Sequence, residues 1–222
     1  MPAYYSISIL FERADIYPTV VKDFYQSLDC AGLKFKSGYW GFENDTYQEI
    51  TEWNQNLLEK NFELGFAEHY SHDYKQVVFN YNGYSEVRGF WMNFPERGEF
   101  IFEIIIPEHE VLTWKGDISL EDGSSIEGYG TFINQKIKEW LEISKKIWIF
   151  APVKAIQTGL EEDDVLISLA AMKNGTIPSI RPFAILKENY CTDIDISQYL
   201  SEKIPKKGRL IINNTKEVRY SM

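Results

Sequence analysis

The chain contains few of the side chains that carry out most enzyme chemistry. Its 222 residues include three histidines and two cysteines. Cys30 and Cys191 are far apart in the sequence, so we expect two free, buried thiols rather than a disulfide or a metal site. The glycine-rich segments match neither the nucleophile-elbow pattern nor the phosphate-binding-loop pattern. These absences argue against a cysteine or serine nucleophile and against a phosphate loop.

Long apolar runs and a targeting signal are also missing from the sequence. A membrane-spanning helix needs about 20 mostly apolar residues. The nearest candidate, residues 143–153, is interrupted by Ser144, two lysines and Pro152. Residues 1–5 contain neither a basic segment nor the start of a long apolar one, so we expect no secretory signal. The sequence therefore predicts a cytoplasmic protein that does not bind a membrane.

Positive charge is scarce relative to negative charge. The chain has 33 acidic and 23 basic side chains, which is a net charge of -10 at pH 7. Six of the basic and two of the acidic side chains lie in residues 201–222, which leaves -14 on residues 1–200. An acidic body repels phosphate backbones and attracts basic proteins, so we expect a basic protein partner and no nucleic acid. Solubility alone is the alternative reason for such a charge.

Aromatic residues are abundant, with six tryptophans, 14 tyrosines and 14 phenylalanines. Tyrosine and tryptophan combine apolar area with a polar group and are concentrated in protein interfaces. In and beside a predicted hairpin, four such rings are candidates for a partner-binding surface: Tyr74, Tyr81, Tyr84 and Trp91. The alternative is that most of them pack in the core with their polar groups at the surface.

A run of four acids is the second candidate for the partner-binding surface. It consists of Glu161, Glu162, Asp163 and Asp164 and precedes a segment with helical spacing. Acids in this position also stabilise the positive end of a helix dipole, and Asp163 or Asp164 could cap the helix. The acidic run could therefore stabilise a helix end instead of binding a partner.

The spacing of apolar residues predicts an α+β fold. Strands and helices do not alternate as they do in a doubly wound sheet, so we expect an antiparallel or mixed central sheet with about four helices packed on it. Thr46 and Glu49 form a capping-box pattern, and Asn82-Gly83 is a strong hairpin signal. Helices are predicted over residues 17–31, 46–61, 132–147 and 165–173, and strands over residues 4–10, 33–36, 76–81, 84–92, 100–106, 183–186 and 210–213.

The order of these elements along the chain favours a single domain. The first three elements form a β-α-β-like opening. No flexible linker interrupts the chain, so we expect residues 1–222 to form a single composite domain. The alternative is a smaller second part, residues 152–222, that begins at Pro152. The apolar strand at residues 100–106 suits a central position covered on both faces.

Three histidines and one glutamate are the candidates for a catalytic site. His69 and His72 are three residues apart and, with His109 and a carboxylate, could hold a metal if the segment were helical. Their spacing does not match the His-Glu-x-x-His motif, and surface histidines before a strand explain it more simply, so we expect neither a metal nor another cofactor. Glu103 lies within an apolar strand, where a carboxylate must face solvent, pair with another group or have a raised pKa.

These features favour a non-enzymatic, cytoplasmic, acidic protein that binds a protein partner. A specific hypothesis, by analogy of size and charge alone, is a bacterial immunity-type inhibitor of a basic toxin or nuclease. One alternative is a hydrolase that uses His69, His72 and a carboxylate, with or without a metal. Another is a small-ligand or sugar-binding module that uses Trp40 or Trp91.

Overall fold

The computed structural model of the chain describes residues 3–63, 72–115, 127–160, 165–190, 194–214 and 217–221. None of the helices in these ranges is long and apolar enough to cross a lipid bilayer. The helices are α1 (Val20–Ala31), α2 (Tyr47–Glu59), α3 (Asn134–Trp148) and α4 (Leu169–Lys173). The strands are β1 (Tyr4–Glu12), β2 (Lys34–Gly38), β3 (Val77–Asn80), β4 (Arg88–Phe94), β5 (Glu99–Pro107), β6 (Leu112–Lys115), β7 (Glu127–Phe132), β8 (Val153–Leu160), β9 (Phe183–Lys187), β10 (Leu200–Ile204), β11 (Gly208–Ile212) and β12 (Glu217–Ser221).

Nine of these strands form one sheet, in the order β10-β11-β9-β8-β1-β5-β4-β3-β2. β1 lies at its centre and pairs antiparallel with β5 on one side and β8 on the other. A second sheet of three strands has the order β12-β7-β6. The predicted α+β class, with an antiparallel sheet and four helices, is confirmed.

The β-α-β-like opening does not place β1 beside β2. β5, β4 and β3 lie between them, and β2 is at the edge of the sheet. Both edges of β1 are occupied by β5 and β8. The chain therefore crosses the sheet through α1 and joins it again at the far side.

The two faces of the large sheet are covered differently. Successive side chains of a strand point to opposite faces. Phe11 of β1 and Phe102 of β5 lie on the face that packs against α1, where the ring of Phe24 is 5.2 Å and 5.1 Å from theirs. Leu10 and Ile101 point to the other face and pack in a separate cluster with α4. α4 has only five residues, so it covers a small part of that second face.

Local sequence signals account for the ends of α1 and α2. α1 buries Phe24 and Leu28 and ends at Gly32, whose φ of 113° is left-handed. Glycine adopts this conformation without the steric cost of a Cβ atom, which suits it to the C-cap. α2 has the predicted capping box, in which the Glu49 N–H donates to Thr46 Oγ1 at 3.2 Å and the Thr46 N–H donates to Glu49 Oε2 at 2.8 Å.

α4 is shorter than the helix predicted over residues 165–173. It begins at Leu169, and its N-cap is Ser168 rather than an acid of the preceding run, because Ser168 Oγ accepts a hydrogen bond from the Ala171 N–H at 3.1 Å. The side chain of Gln157 in β8 bonds the N–H of Ile167 at 3.3 Å and its carbonyl at 2.8 Å. The Ile167 carbonyl therefore bonds Gln157 and not an N–H group of a helical turn, and the helix begins after residue 167.

The predicted hairpin is present between β3 and β4. Asn82 and Gly83 both have positive φ, 24° and 78°, as the turn signal predicts. The return strand begins at Arg88 rather than at residue 84. Tyr84 instead packs against Trp140 of α3, with 5.4 Å between ring centroids.

Candidate functional site

A groove lies on the sheet face that α4 leaves partly uncovered. It crosses β8, β1, β5 and β4 and has a volume of about 210 Å³. Its floor consists of small residues, Ser6 and Ser8 on β1 and Gly159 on β8. Ser6 and Gly159 are directly opposite each other across the two strands. Small side chains at neighbouring positions leave a depression between bulkier ones, which is the origin of the groove.

Apolar side chains form the walls of the groove. Phe90 and Met92 of β4 and Ile105 of β5 stand on one side, and Val165 and Leu166 stand on the other. Val165 is 77% exposed, and the other four are half-buried. Apolar area that stays in contact with water is a source of binding free energy when a partner covers it.

Glu103 lies in the middle of this groove. Its cross-strand neighbours are Ser8 on β1 and Phe90 on β4, and Ser8 Oγ donates a hydrogen bond to Glu103 Oε2 at 3.0 Å. It is the only charged side chain among the described residues that line the groove. From the sequence, we expect this carboxylate to face solvent, to pair with another group or to have a raised pKa. In the structure it is half-buried, faces the groove and pairs with the Ser8 hydroxyl. The groove is therefore acidic at its centre and apolar at its sides.

One wall of the groove is held in place by a buried amide. Gln157 is 1% exposed. Its Nε2 donates to the Ile167 carbonyl at 2.8 Å, and its Oε1 accepts from the Ser179 N–H at 3.0 Å. Ser179 also donates through its Oγ to the Thr158 carbonyl at 2.7 Å. The wall is thus held in place by hydrogen bonds within the fold.

A stacked arginine lies beside the groove. The guanidinium of Arg88 is 4.8 Å from the ring centroid of Tyr4, which lines the groove, and 4.3 Å from that of Tyr39. Arg88 Nε also pairs with Glu86 Oε1 at 2.5 Å. Burial is the main cause that raises the pKa of Tyr4 above its ordinary value. The protein thus holds one of its own guanidinium groups between two aromatic rings and a carboxylate.

A second hollow continues the groove. It shares Val165 and Ser179 with the first and has a volume of about 290 Å³. Ile167, Ile177 and Tyr199 supply apolar lining, and Arg181 and Asn213 also line this hollow. The two hollows together form one trough along the second face of the sheet.

Two of the predicted partner-binding rings lie in the core. Trp91 is 0% exposed and its Nε1 donates to Tyr25 OH at 3.0 Å. Tyr74 is 3% exposed and its hydroxyl donates to the Phe62 carbonyl at 2.8 Å. Both rings are therefore buried in this fold, and their contact with a partner stays a prediction. The alternation of β4 directs Trp91 to the helices and its neighbour Phe90 to the groove.

The other two predicted rings, Tyr81 and Tyr84, are half-buried. They stack on each other with 5.6 Å between centroids. Both also pack against Trp140 of α3, at 5.3 Å and 5.4 Å. They therefore lie against the helix layer and not in the groove. Their contact with a partner stays a prediction.

Among the residues that the structure describes, the candidate catalytic residues His72 and Glu103 do not lie together. His72 is exposed, and the carbonyl of the next residue, Asp73, accepts from Trp53 Nε1 of α2 at 2.9 Å. His72 is thus on the α2 side of the sheet, whereas Glu103 faces the opposite side. Within the part of the chain that the structure describes, no group of three or more His, Cys, Asp or Glu side chains could hold a metal ion. His69 and the acidic run, Glu161, Glu162, Asp163 and Asp164, lie outside the described residues.

Two exposed side chains, Cys30 and Trp40, concern the expected buried thiols and the expected ligand-binding tryptophans. Cys30 is exposed rather than buried, because it lies on the face of α1 opposite the buried Leu28. Trp40 is 63% exposed and follows β2 in a turn with a positive φ of 44°. Of the two tryptophans considered for ligand binding, only Trp40 presents its ring to solvent.

Sequence reasoning found Glu103 but missed the floor of the groove. The signal for the floor is in β1 itself, where Ser6 and Ser8 alternate with the buried Ile7 and Ile9. Such alternation marks a strand whose second face is not packed like its first. The pairing of Ser8 with Glu103 joins residues 95 positions apart, and no local pattern predicts it.

The sequence matches no protein-family model and no curated protein. Among solved structures, the chain is similar to the Pseudomonas aeruginosa T6SS protein PA0821, with a TM-score of 0.40 and 9% sequence identity over 95% of this chain. The chain spans 65% of that structure's length. A likeness of this degree carries no functional argument.

Proposed function

We propose that this chain is a non-enzymatic protein that binds a basic protein partner through the groove face. The observation that carries the proposal is that the described residues cover the second sheet face incompletely. Phe90, Met92 and Ile105 stay half-buried there, around the carboxylate of Glu103. A partner that covers this face removes apolar area from water and meets a negative charge at its centre.

Charge complementarity selects the kind of partner. The chain has a net charge of -10, and the groove adds the carboxylate of Glu103. A negative field speeds the approach of a basic protein and repels an acidic one. The partner class that fits is therefore a protein with an excess of lysine and arginine.

The finer proposal is an immunity-type inhibitor of a basic toxin or nuclease that acts in the cytoplasm. A protein that cleaves nucleic acid needs positive charge to contact phosphates. An acidic inhibitor uses that same charge for its own association. The acidic composition supports this proposal, and the groove offers an anchoring point beside the general attraction.

A photocrosslinking experiment in the native host tests the partner class. A benzophenone amino acid replaces Val165 at the groove or, as the control, Ile149 at the end of α3; these side chains are 77% and 57% exposed. We expect a basic protein to be crosslinked from position 165 and not from position 149. Salt of about 500 mM should lower the yield relative to about 50 mM, because it screens the attraction.

Two results would contradict the proposal. One is the same set of crosslinked proteins from both positions, which would mark non-specific contact. The other is a crosslinked partner with an acidic composition. For the finer proposal, the captured protein must degrade nucleic acid or otherwise act as a toxin, and the purified chain must block that activity.

A further inference from the structure

We infer that another hollow, which we call the edge pocket, is a binding site for a neutral aromatic small molecule. It lies between the large sheet and its helices, where β2 forms the edge of the sheet. The inference is independent of the partner proposed for the groove on the other face. Three observations lead to it: the size of the edge pocket, its aromatic lining and the balanced charges at its rim.

The edge pocket is large enough for a small molecule. Its volume is about 590 Å³, and sites for drug-sized molecules have volumes of about 300–1,000 Å³. The lining comes from the second half of α1, from the segment that enters β2, from β3 and from the first residue of α2. Each of these segments lies well inside the described ranges. The space is therefore bounded by elements of the fold itself.

Aromatic rings supply much of the lining. Tyr25 is 3% exposed and Phe79 is 6% exposed, and both lie at the buried end of the edge pocket. Phe35 and Tyr47 are half-buried and stand edge to face, with 5.3 Å between ring centroids. Tyr47 is also 6.0 Å from Tyr25. Rings attract further rings in edge-to-face and offset arrangements, so this lining favours a flat aromatic ligand.

The charges at the rim favour a ligand without net charge. Lys34 Nζ and Asp29 Oδ2 form an ion pair at 2.6 Å, and both side chains are exposed. An anionic ligand would meet Asp29 and the negative field of the whole chain. A cationic ligand would have to displace Lys34 from Asp29. A neutral molecule leaves the pair intact, so it is the form that the rim admits at the lowest cost.

Neutral polar groups at the rim can orient such a ligand. The amide of Gln26 both donates and accepts hydrogen bonds, and so does the hydroxyl of Tyr47. Burial is the main cause that raises the pKa of Tyr47 above its ordinary value of 10, so this hydroxyl is neutral at pH 7. The ligand class that fits is an aromatic ring system with one uncharged polar group, such as a phenol, an amide or a weakly basic arylamine.

Two fluorescent probes with the same ring system test the ligand class. N-phenylnaphthylamine is neutral, whereas anilinonaphthalene sulfonate has a sulfonate on the same rings, and both become brighter in an apolar site. We expect the neutral probe to bind the purified chain at about one equivalent and about tenfold or more tightly than the sulfonate. No saturable signal from the neutral probe with up to about 200 µM protein, or tighter binding of the sulfonate, would overturn the inference.

The thiol of Cys30 reports where the neutral probe binds. Cys30 is exposed and lines the edge pocket, so a bound ligand shields it from N-ethylmaleimide. Mass spectrometry of the peptide that contains Cys30 follows this alkylation. At a probe concentration of about ten times its Kd, we expect alkylation to be about tenfold slower.

An Ile149→Cys variant supplies the control within the same molecule. Ile149 is 57% exposed and is not among the described residues that line the edge pocket. The probe should leave the alkylation rate at position 149 unchanged while it slows the reaction of Cys30. Equal slowing at both positions, or no slowing at Cys30, would place the probe elsewhere and contradict the inference.

Matched charge variants test the role of the rim. Asp29→Asn and Glu52→Gln each remove one acid from an exposed helix position, but Asp29 lines the edge pocket and pairs with Lys34. We expect Asp29→Asn to raise the affinity for the sulfonate about threefold or more, because Lys34 is then available to it. Glu52→Gln should change this affinity little, and neither variant should change the affinity for the neutral probe. An equal gain in both variants would show an effect of net charge alone and contradict the balanced rim.

Discussion

At the scale of single residues, Glu99 is the most unusual ionisable group of the described core. It is 1% exposed, and its Oε2 accepts a hydrogen bond from the Leu169 N–H at 2.8 Å, at the start of α4. Its Oε1 is buried without a hydrogen-bond partner among the described residues. Burial raises the pKa of Glu99 above its ordinary value of 4.5, and the hydrogen bond from Leu169 opposes that effect only in part.

This raised pKa predicts a pH dependence of stability. The neutral carboxyl is the form that the fold prefers, so its contribution is fully present below about pH 4.5 and is lost as the pH rises through the folded-state pKa. Glu99→Gln stays neutral at every pH, so its free energy of unfolding should exceed that of the unmodified chain at pH 7 and approach it near pH 4. Urea unfolding at a series of pH values measures the difference.

The control for this prediction is Glu52→Gln at an exposed position of α2. It should show no such trend, because an exposed carboxylate keeps its water. A stability difference between Glu99→Gln and the unmodified chain that is constant from about pH 4 to about pH 8 would contradict the assignment.

At the scale of elements, α1 and α2 both have a threonine at the N-cap, but the two hydroxyl groups make different hydrogen bonds. Thr46 of α2 accepts a backbone hydrogen bond from Glu49 and completes a capping box. Thr19 of α1 makes no such bond, and its hydroxyl donates to Asp23 Oδ2 at 2.9 Å instead. Only α2 therefore has a first-turn N–H group satisfied by its capping threonine.

This contrast predicts different costs for the same substitution. Thr46→Ala should lower the free energy of unfolding by about 1 kcal/mol, because the N–H of Glu49 loses its acceptor. Thr19→Ala should cost clearly less, since no backbone donor depends on that hydroxyl. Urea unfolding of both variants gives the comparison. Equal losses would mean that the cap geometry does not determine the stability of α2.

At the scale of the whole molecule, β8 connects the two parts of the chain that a boundary at Pro152 would separate. All eight of its residues are buried. It pairs with β1 over residues 153–160 and with β9 over residues 155–157. The second part of the chain therefore continues the sheet of the first part, and its removal would expose the edge of β1.

We accordingly predict that the chain unfolds in one cooperative transition. Loss of β8 and β9 would uncover apolar area of the central strand, which couples the stability of both parts. Amides of β1 and β5 should lose hydrogen-exchange protection at the same urea concentration as amides of β9 and β11. Early loss of protection in β9 and β11 while β1 and β5 stay protected would favour the alternative, a separate second part at residues 152–222.

Local sequence patterns were sufficient to predict the elements that are defined by interactions between neighbouring residues. α1 and α2 were predictable from apolar spacing and capping residues, and the turn at Asn82-Gly83 was predictable from its tolerance of positive φ. β10 was not predicted, because Leu200–Ile204 lack the apolar alternation of a half-buried strand. β12 was not predicted either, although Val218 and Tyr220 alternate with polar residues. α4 was placed too early because the bond of Gln157 to Ile167 is not visible in the sequence.

The amino-acid sequence alone determined the acidity of this protein, the types of its main elements and the presence of a lone carboxylate in an apolar strand, since these depend on composition and on neighbours along the chain. The tertiary structure decided which ring of β4 is exposed and which is buried, and it assembled the groove from Ser8, Glu103 and Gln157. Strand order and register bring such distant residues together, and both depend on packing between segments that no local pattern encodes.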